Sequence, residues 1–327
     1  MLEQLNRLLE KLMPYLAPIS VIIGVMFGNQ FSEIAFLVPW IFAFMTFVGS
    51  LSSNFQSFHR AITNPLPIVI ALAMLHIIMP LWAFAVGHLT FEQDMLTITG
   101  LVIAMVIPTG VTSFIWVSMC KGNVALTLSI ILIDTILSPF VVPYSLSLLV
   151  GKSVEMDVWA IMKGLTGMIV LPSIVGMCFN QITKGKIRTT WGVRLAPFSK
   201  IALAIVIMIN SSVVSPYLRD VNWHLISVAV TVLFIAACGY LLSWIIAKVI
   251  KREKEVVIAL TFTGGMRNIS AGAVLAVAYF PQAVAVPVVV GMLFQQVLAS
   301  IYGKLLNKHY LKEKHGTSSL KNRQMDL

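Results

Sequence analysis

The chain has 327 residues, 58% of them hydrophobic and only 11% charged, with 23 Lys and Arg against 13 Asp and Glu. A soluble domain carries about 25% charged residues, so most of this surface faces something other than water, and a soluble enzyme or binding module is excluded. The net charge of +10 lies between apolar runs and in the tail after Lys304, the pattern of cytoplasmic-loop charge on a membrane protein rather than of a nucleic-acid-binding face.

The opening segment, 1–13, is amphipathic, with Glu3, Arg7, Glu10 and Lys11 among leucines. It lacks the continuous apolar core and small-residue cleavage site of a signal peptide, and reads as a surface helix leading into the first span. Ten apolar segments of membrane-crossing length, about 20 residues each, follow at 14–28, 34–51, 66–86, 96–119, 124–150, 158–179, 195–214, 225–246, 257–279 and 284–306. The first is short unless the leader extends it, which leaves nine as the other count. Cys120, Cys178 and Cys238 are far apart in apolar sequence, with neither a disulfide framework nor metal-ligand spacing.

Charge tests the count. Of the 23 Lys and Arg, 19 fall in or beside the N-terminus, the connections after spans 2, 4, 6 and 8, and the tail; the opposite side has Lys152 and Arg219, and Lys163 and Arg267 lie within spans. One missed helix would invert every later loop and scramble this bias. The asymmetry predicts ten helices in an inner membrane with both termini cytoplasmic.

Span 4 is interrupted by Pro108-Thr109-Gly110 and span 9 by Thr263-Gly264-Gly265. Each is the fourth helix of a group of five, and an odd number forces the two groups to run in opposite senses. One kink alone is an ordinary structural feature of membrane helices. Paired breaks in an inverted repeat point instead to a transporter's midplane site, because backbone freed from a helix must line a cavity or pack in protein, and half-helix N-termini there attract anions. The expected fold is an all-α membrane protein of ten transmembrane helices in two inverted five-helix repeats, 14–150 and 151–310, followed by a polar cytoplasmic tail, 311–327.

At these breaks the chain resembles the bile acid:sodium symporter family. The likeness rests on Pro108-Thr109-Gly110-Val111-Thr112-Ser113, Lys121-Gly122-Asn123-Val124-Ala125-Leu126, Leu137-Ser138-Pro139 with Pro143, Gly265-Met266-Arg267-Asn268 and Ala283-Val284-Ala285-Val286-Pro287. The resemblance implies a panel of helices 1, 2, 6 and 7 facing a core of helices 3–5 and 8–10, with helices 4 and 9 crossing in the core. It also implies a substrate between panel and core, drawn from bile acids, pantoate-like compounds and other organic anions, usually carried with sodium. Asn268 matches a substrate-contacting Asn of the family and Gln295 a polar position.

The chain departs from the family where sodium would bind. Thr263 stands in place of the family's Glu and Arg267 in place of its Gln; Phe114, Ile131 and Leu75 stand where further oxygen-bearing side chains are expected. A hard cation wants several oxygens and no fixed cation beside it. Sodium coupling is therefore not expected.

Ionisable residues inside spans default to functional hypotheses. Arg267 is expected to replace the coupling cation, hold the crossover closed and offer a fork to a substrate carboxylate. Asp134 in span 5 is expected to pair with Arg267, and His76 in span 3 either packs through a hydrogen bond or titrates near neutral pH. Lys163 lies near the end of span 6 and can snorkel to the interface. Thr112, Ser113, Arg267, Asn268 and Gln295 are the candidate substrate contacts.

The expected function is secondary transport of a small organic anion by alternating access, independent of sodium. The partners are that anion and the lipid bilayer, with no nucleic acid, cofactor or metal. The alternatives are a sodium-coupled symporter of the usual family type, a channel, and an intramembrane enzyme or sensor; the spans offer an enzyme neither a second acid nor a metal-ligand pair.

Overall fold

The computed structural model describes residues 2–53, 65–151 and 153–325; Lys152 and the 54–64 connection, both used in the charge count, lie outside them. Among the described residues the regular structure is helical, apart from one isolated bridge between Thr109 and Arg267. In chain order the bundle is built from α1 (Leu2–Met26), α2 (Ser32–Ser50), α3 (Pro65–Phe91), α4 (Met95–Val106), α5 (Ser113–Met119), α6 (Val124–Val150), α7 (Val158–Ile182), α8 (Arg188–Val213), α9 (Trp223–Val249), α10 (Lys254–Gly265), α11 (Ile269–Tyr279) and α12 (Gln282–Met325).

Seven of these are long and apolar enough to cross a membrane: α2, α3, α6, α7, α8, α9, and α12 over Gln282–Tyr310. Three further apolar stretches are shorter, namely Tyr15–Met26 of α1, α4 and α11. α4 and α11 are short because each abuts a break. Twelve residues of α4 rise only about 18 Å at 1.5 Å per residue, and α5 resumes beyond the interruption. The leader leads directly into the first span, with Leu5, Leu8 and Leu12 exposed. From Leu2 onward it is continuous with the first apolar segment in α1, which runs on through Pro14 and Pro18.

Side-chain caps fix where several helices begin. Asp94, Asn123, Asp157, Asn222 and Asn268 each accept a hydrogen bond from the third residue onward, at Thr97, Leu126, Ala160, Leu225 and Ala271. Two helices carry a widened π turn just before a proline, Met74–Ile78 before Pro80 and Thr166–Val170 before Pro172. Proline lacks an N–H and crowds the carbonyl four residues back. A π turn, here closed by Met79 N–H donating to the Met74 carbonyl, absorbs that conflict by inserting one residue. His76 lies in the first of these turns.

The helices pack in two groups. α8 lies along α1 and α2, and α7 along α2; separately, α4 packs between α3 and α12, α10 on α9, and α11 on α12. α6 touches α4 and α10 within the second group, and α7 across to the first. The core of this second group is continuous, from Leu101, Val102 and Ile103 of α4 to Ala273, Val274 and Leu275 of α11 and Val284, Val288 and Val289 of α12, all 1% exposed or less.

Candidate functional site

The two breaks meet. Thr109 and Arg267 pair as an antiparallel bridge, with Asn268 N–H donating to the Pro108 carbonyl at 2.8 Å and Gly110 N–H to the Met266 carbonyl at 3.4 Å. Backbone groups that the interrupted helices leave over are thus satisfied by each other, as burial in an apolar medium requires. Gly110 is needed at this contact, because a Cβ there would stand 2.8 Å from the Arg267 carbonyl oxygen. The Thr109 hydroxyl adds bonds to the carbonyls of Thr263 (2.8 Å) and Met266 (3.1 Å).

Arg267 is 2% exposed and lies where α4 and α10 both end. Its Nε donates to the Met105 carbonyl at 2.8 Å, and its Nη1 to the carbonyls of Gly264 at 2.7 Å and Met266 at 3.3 Å. Met105 and Gly264 belong to the last turns of α4 and α10, whose carbonyls have no partner within their own helices. Each helix end also carries about half a negative charge. The guanidinium therefore serves as a cation bound between two helix C-termini. The fork expected for a substrate carboxylate is accordingly engaged by backbone, and only Nη2 is without a partner among the described residues. Gln295 supports the same residue from α12, its Oε1 accepting from Arg267 N–H at 3.1 Å.

The direct Asp134–Arg267 pair expected from sequence does not form. Fully buried Asp134 accepts from Thr109 N–H through Oδ2 at 2.6 Å, and its Oδ1 is 2.5 Å from Nε2 of His76, whose side chain is 6% exposed. A carboxylate can satisfy both oxygens in this way, and the guanidinium has its carbonyls. Each charge is thus solvated locally, while Asp134 remains near enough to act on Arg267 electrostatically. His76 is thereby hydrogen-bonded to Asp134, the partner that its packing reading called for.

The remaining expected site residues divide. Thr263 turns its hydroxyl back onto its own helix, to the carbonyls of Ala259 (2.9 Å) and Leu260 (3.4 Å). Asn268 caps α11 through its side-chain oxygen, 3.3 Å from Ala271 N–H. Ser113 is buried beside the crossing, its hydroxyl without a partner among the described residues, whereas Thr112 one residue earlier is half-buried. Asn210 and Ser211 of α8 are not among the residues the sequence points to, yet both are fully buried and their side-chain polar atoms have no partner among the described residues. The signal was an Asn-Ser-Ser run inside an apolar span. A groove of about 440 Å³, walled by Val25 of α1, Leu225 and Ala229 of α9, and Val290, Leu293 and Phe294 of α12, lies on the boundary between the two helix groups. Its walls suit hydrocarbon rather than a charged group.

The profile of the Sodium Bile acid symporter family matches residues 39–221. The chain is 56% identical to a Bacillus subtilis protein named YbaS over 92% of this chain and 98% of that one. It is 23% identical to the Bacillus subtilis protein named "Uncharacterized sodium-dependent transporter YocS" over 92% of each. It is 26% identical to the rice protein named "Probable sodium/metabolite cotransporter BASS1, chloroplastic" over 70% of this chain and 54% of that protein.

Proposed function

Because the chain belongs to the Sodium Bile acid symporter family, whose members are membrane transporters and not enzymes, we propose that it is a secondary carrier of a small organic anion that works by alternating access without sodium. One observation carries the sodium-independent reading: the Arg267 guanidinium, bonded to carbonyls at the ends of both α4 and α10. Carbonyl oxygens at half-helix C-termini are what a coupling cation uses, and here a covalently tethered cation uses them. A sodium ion about 4 Å from a guanidinium is repelled by about 4 kcal/mol even at an effective dielectric of about 20. Thr263, at the place of the family's acid, offers its hydroxyl to its own helix.

The ten-helix arrangement as two inverted repeats, 14–150 and 151–310, belongs to the same proposal. Antiparallel pairing of the two breaks and the packing of the helices in two groups support it. The substrate would sit where those groups meet, with its carboxylate near Arg267 Nη2, Ser113 and Asn268 and its apolar part toward the groove at Phe294. The positive excess of the even-numbered connections favours an inner membrane with cytoplasmic termini.

The second reading, sodium-coupled transport, is favoured by the names of the relatives. Reconstituted protein separates the two. Counterflow of a labelled monocarboxylate is expected to saturate and to be unchanged when potassium or choline replaces sodium. Uptake that rises steeply with sodium would sink the sodium-independent reading, and flux that never saturates would indicate a channel.

A further inference from the structure

The short His76–Asp134 contact has a consequence for charge balance. Both oxygens of Asp134 are engaged, Oδ2 by Thr109 N–H and Oδ1 by Nε2 of His76. With Nε2–H donating to the Asp134 carboxylate, a neutral imidazole has its one hydrogen on Nε2, and Nδ1 of His76 is left with a bare lone pair. Nδ1 is buried and without a hydrogen-bond partner among the described residues. It is the place where the pair takes its next proton.

With that site empty, Asp134 and the Arg267 guanidinium cancel, and the buried cluster is neutral. A monocarboxylate entering beside Arg267 adds one negative charge to a buried site, and an unbalanced buried charge is costly. One proton on Nδ1 restores neutrality. Among the described residues, the helices packed against His76 place no further charge beside it. α4 has no titratable side chain between Met95 and Val106, and α6 offers Asp134, with Tyr144 more than two turns further on. α10 carries Lys254 and Glu255 only at its far end; α9 contributes Tyr240, close enough to act electrostatically on Arg267, and Cys238, with Lys248 and His224 toward its ends.

The pair is also bonded to the crossing. Asp134 holds Thr109 N–H, and Thr109 is the residue bridged to Arg267 where the breaks cross. A change in the charge of the His76–Asp134 pair is therefore felt directly by the backbone of the crossing.

We propose that the His76–Asp134 pair is a proton-binding site at which one proton enters with each substrate anion, making the carrier an electroneutral proton/monocarboxylate symporter. The proton forms a bond to Nδ1 when the anion binds and leaves that nitrogen when the anion is released. This rests on the anion-carrier reading above.

The test uses the full chain in detergent and a panel of straight-chain, 2-oxo and 2-hydroxy monocarboxylates in choline buffer. The acid giving the largest thermal shift is then titrated across the range where imidazoles ionise, from about pH 5.5 to about pH 7.5. Binding is expected to take up one proton per anion in weakly buffered solution, and its Kd to rise about tenfold per pH unit on the alkaline limb. In His76→Gln the proton uptake and the pH dependence are both expected to vanish, a result that a purely structural role for His76 would not produce. If that variant does not fold, the proton count of the unmodified protein decides. Binding without proton uptake, or uptake retained in His76→Gln, overturns the proposal. A panel in which no acid stabilises the protein at any pH overturns the anion-carrier reading itself, and this inference with it.

Discussion

At the scale of single residues, the buried charges are held by different partners from those their types alone suggest. Asp134 and Arg267 are conspicuous in the sequence because an acid and a guanidinium inside apolar spans are costly unless solvated. Their partners are not legible in the same way. Which side chain meets Asp134 depends on the rotation of α3, and the π turn at Met74–Ile78 inserts one residue and advances the helix phase by about 100°. A regular 3.6-residue period cannot supply that shift. Double-mutant cycles measure the result. Coupling between His76→Gln and Asp134→Asn is expected to exceed about 1 kcal/mol in unfolding free energy, as is usual for contacting buried partners. The cycle of Arg267→Gln with Asp134→Asn should give a smaller value, because those groups act through space and not through a bond. A larger coupling in the second cycle would restore the direct pair.

Among elements, the first break was readable from Pro108-Thr109-Gly110, since proline interrupts a helix for local reasons, whereas the second lies one step later than Thr263-Gly264-Gly265, which still close α10, and falls at Met266-Arg267-Asn268. That the breaks bond to one another required the fold. The contact leaves no room at Gly110, where a Cβ would meet the Arg267 carbonyl at 2.8 Å, whereas Gly167 in α7 has nothing within 4 Å. Gly110→Ala is expected to lower unfolding free energy by about 1–3 kcal/mol, the usual cost of overpacking. Gly167→Ala should be neutral or stabilising by up to about 1 kcal/mol, as a helical Gly→Ala change in open space. Equal effects at the two sites in chemical unfolding would mean that the breaks do not touch. Caps behave in the opposite way. Asn123, Asp157 and Asn222 mark the starts of α6, α7 and α9 because a cap is a contact between residues three apart, and sequence carries it whole.

For the whole molecule, charge gives the orientation that packing does not. Reporter fusions after Lys308 and within 184–194 are both expected to report cytoplasm, from the Lys and Arg excess of those connections; an external signal from either would overturn the ten-span topology. Composition alone determined that this chain lives in a bilayer, because 58% hydrophobic residues leave too little polar surface for water. Hydropathy and local breaker chemistry determined where its helices run and where two of them stop, since both depend on neighbours in sequence. Only the tertiary structure decided that Arg267 binds the carbonyl ends of α4 and α10, and that Asp134 belongs to His76 and Thr109. The physical reason is one of range. A lone charge in an apolar medium must find whichever donors or carbonyls come nearest in space, and those lie 25 to 162 positions away along the chain for all but one of these contacts, set by how whole helices rotate and pack.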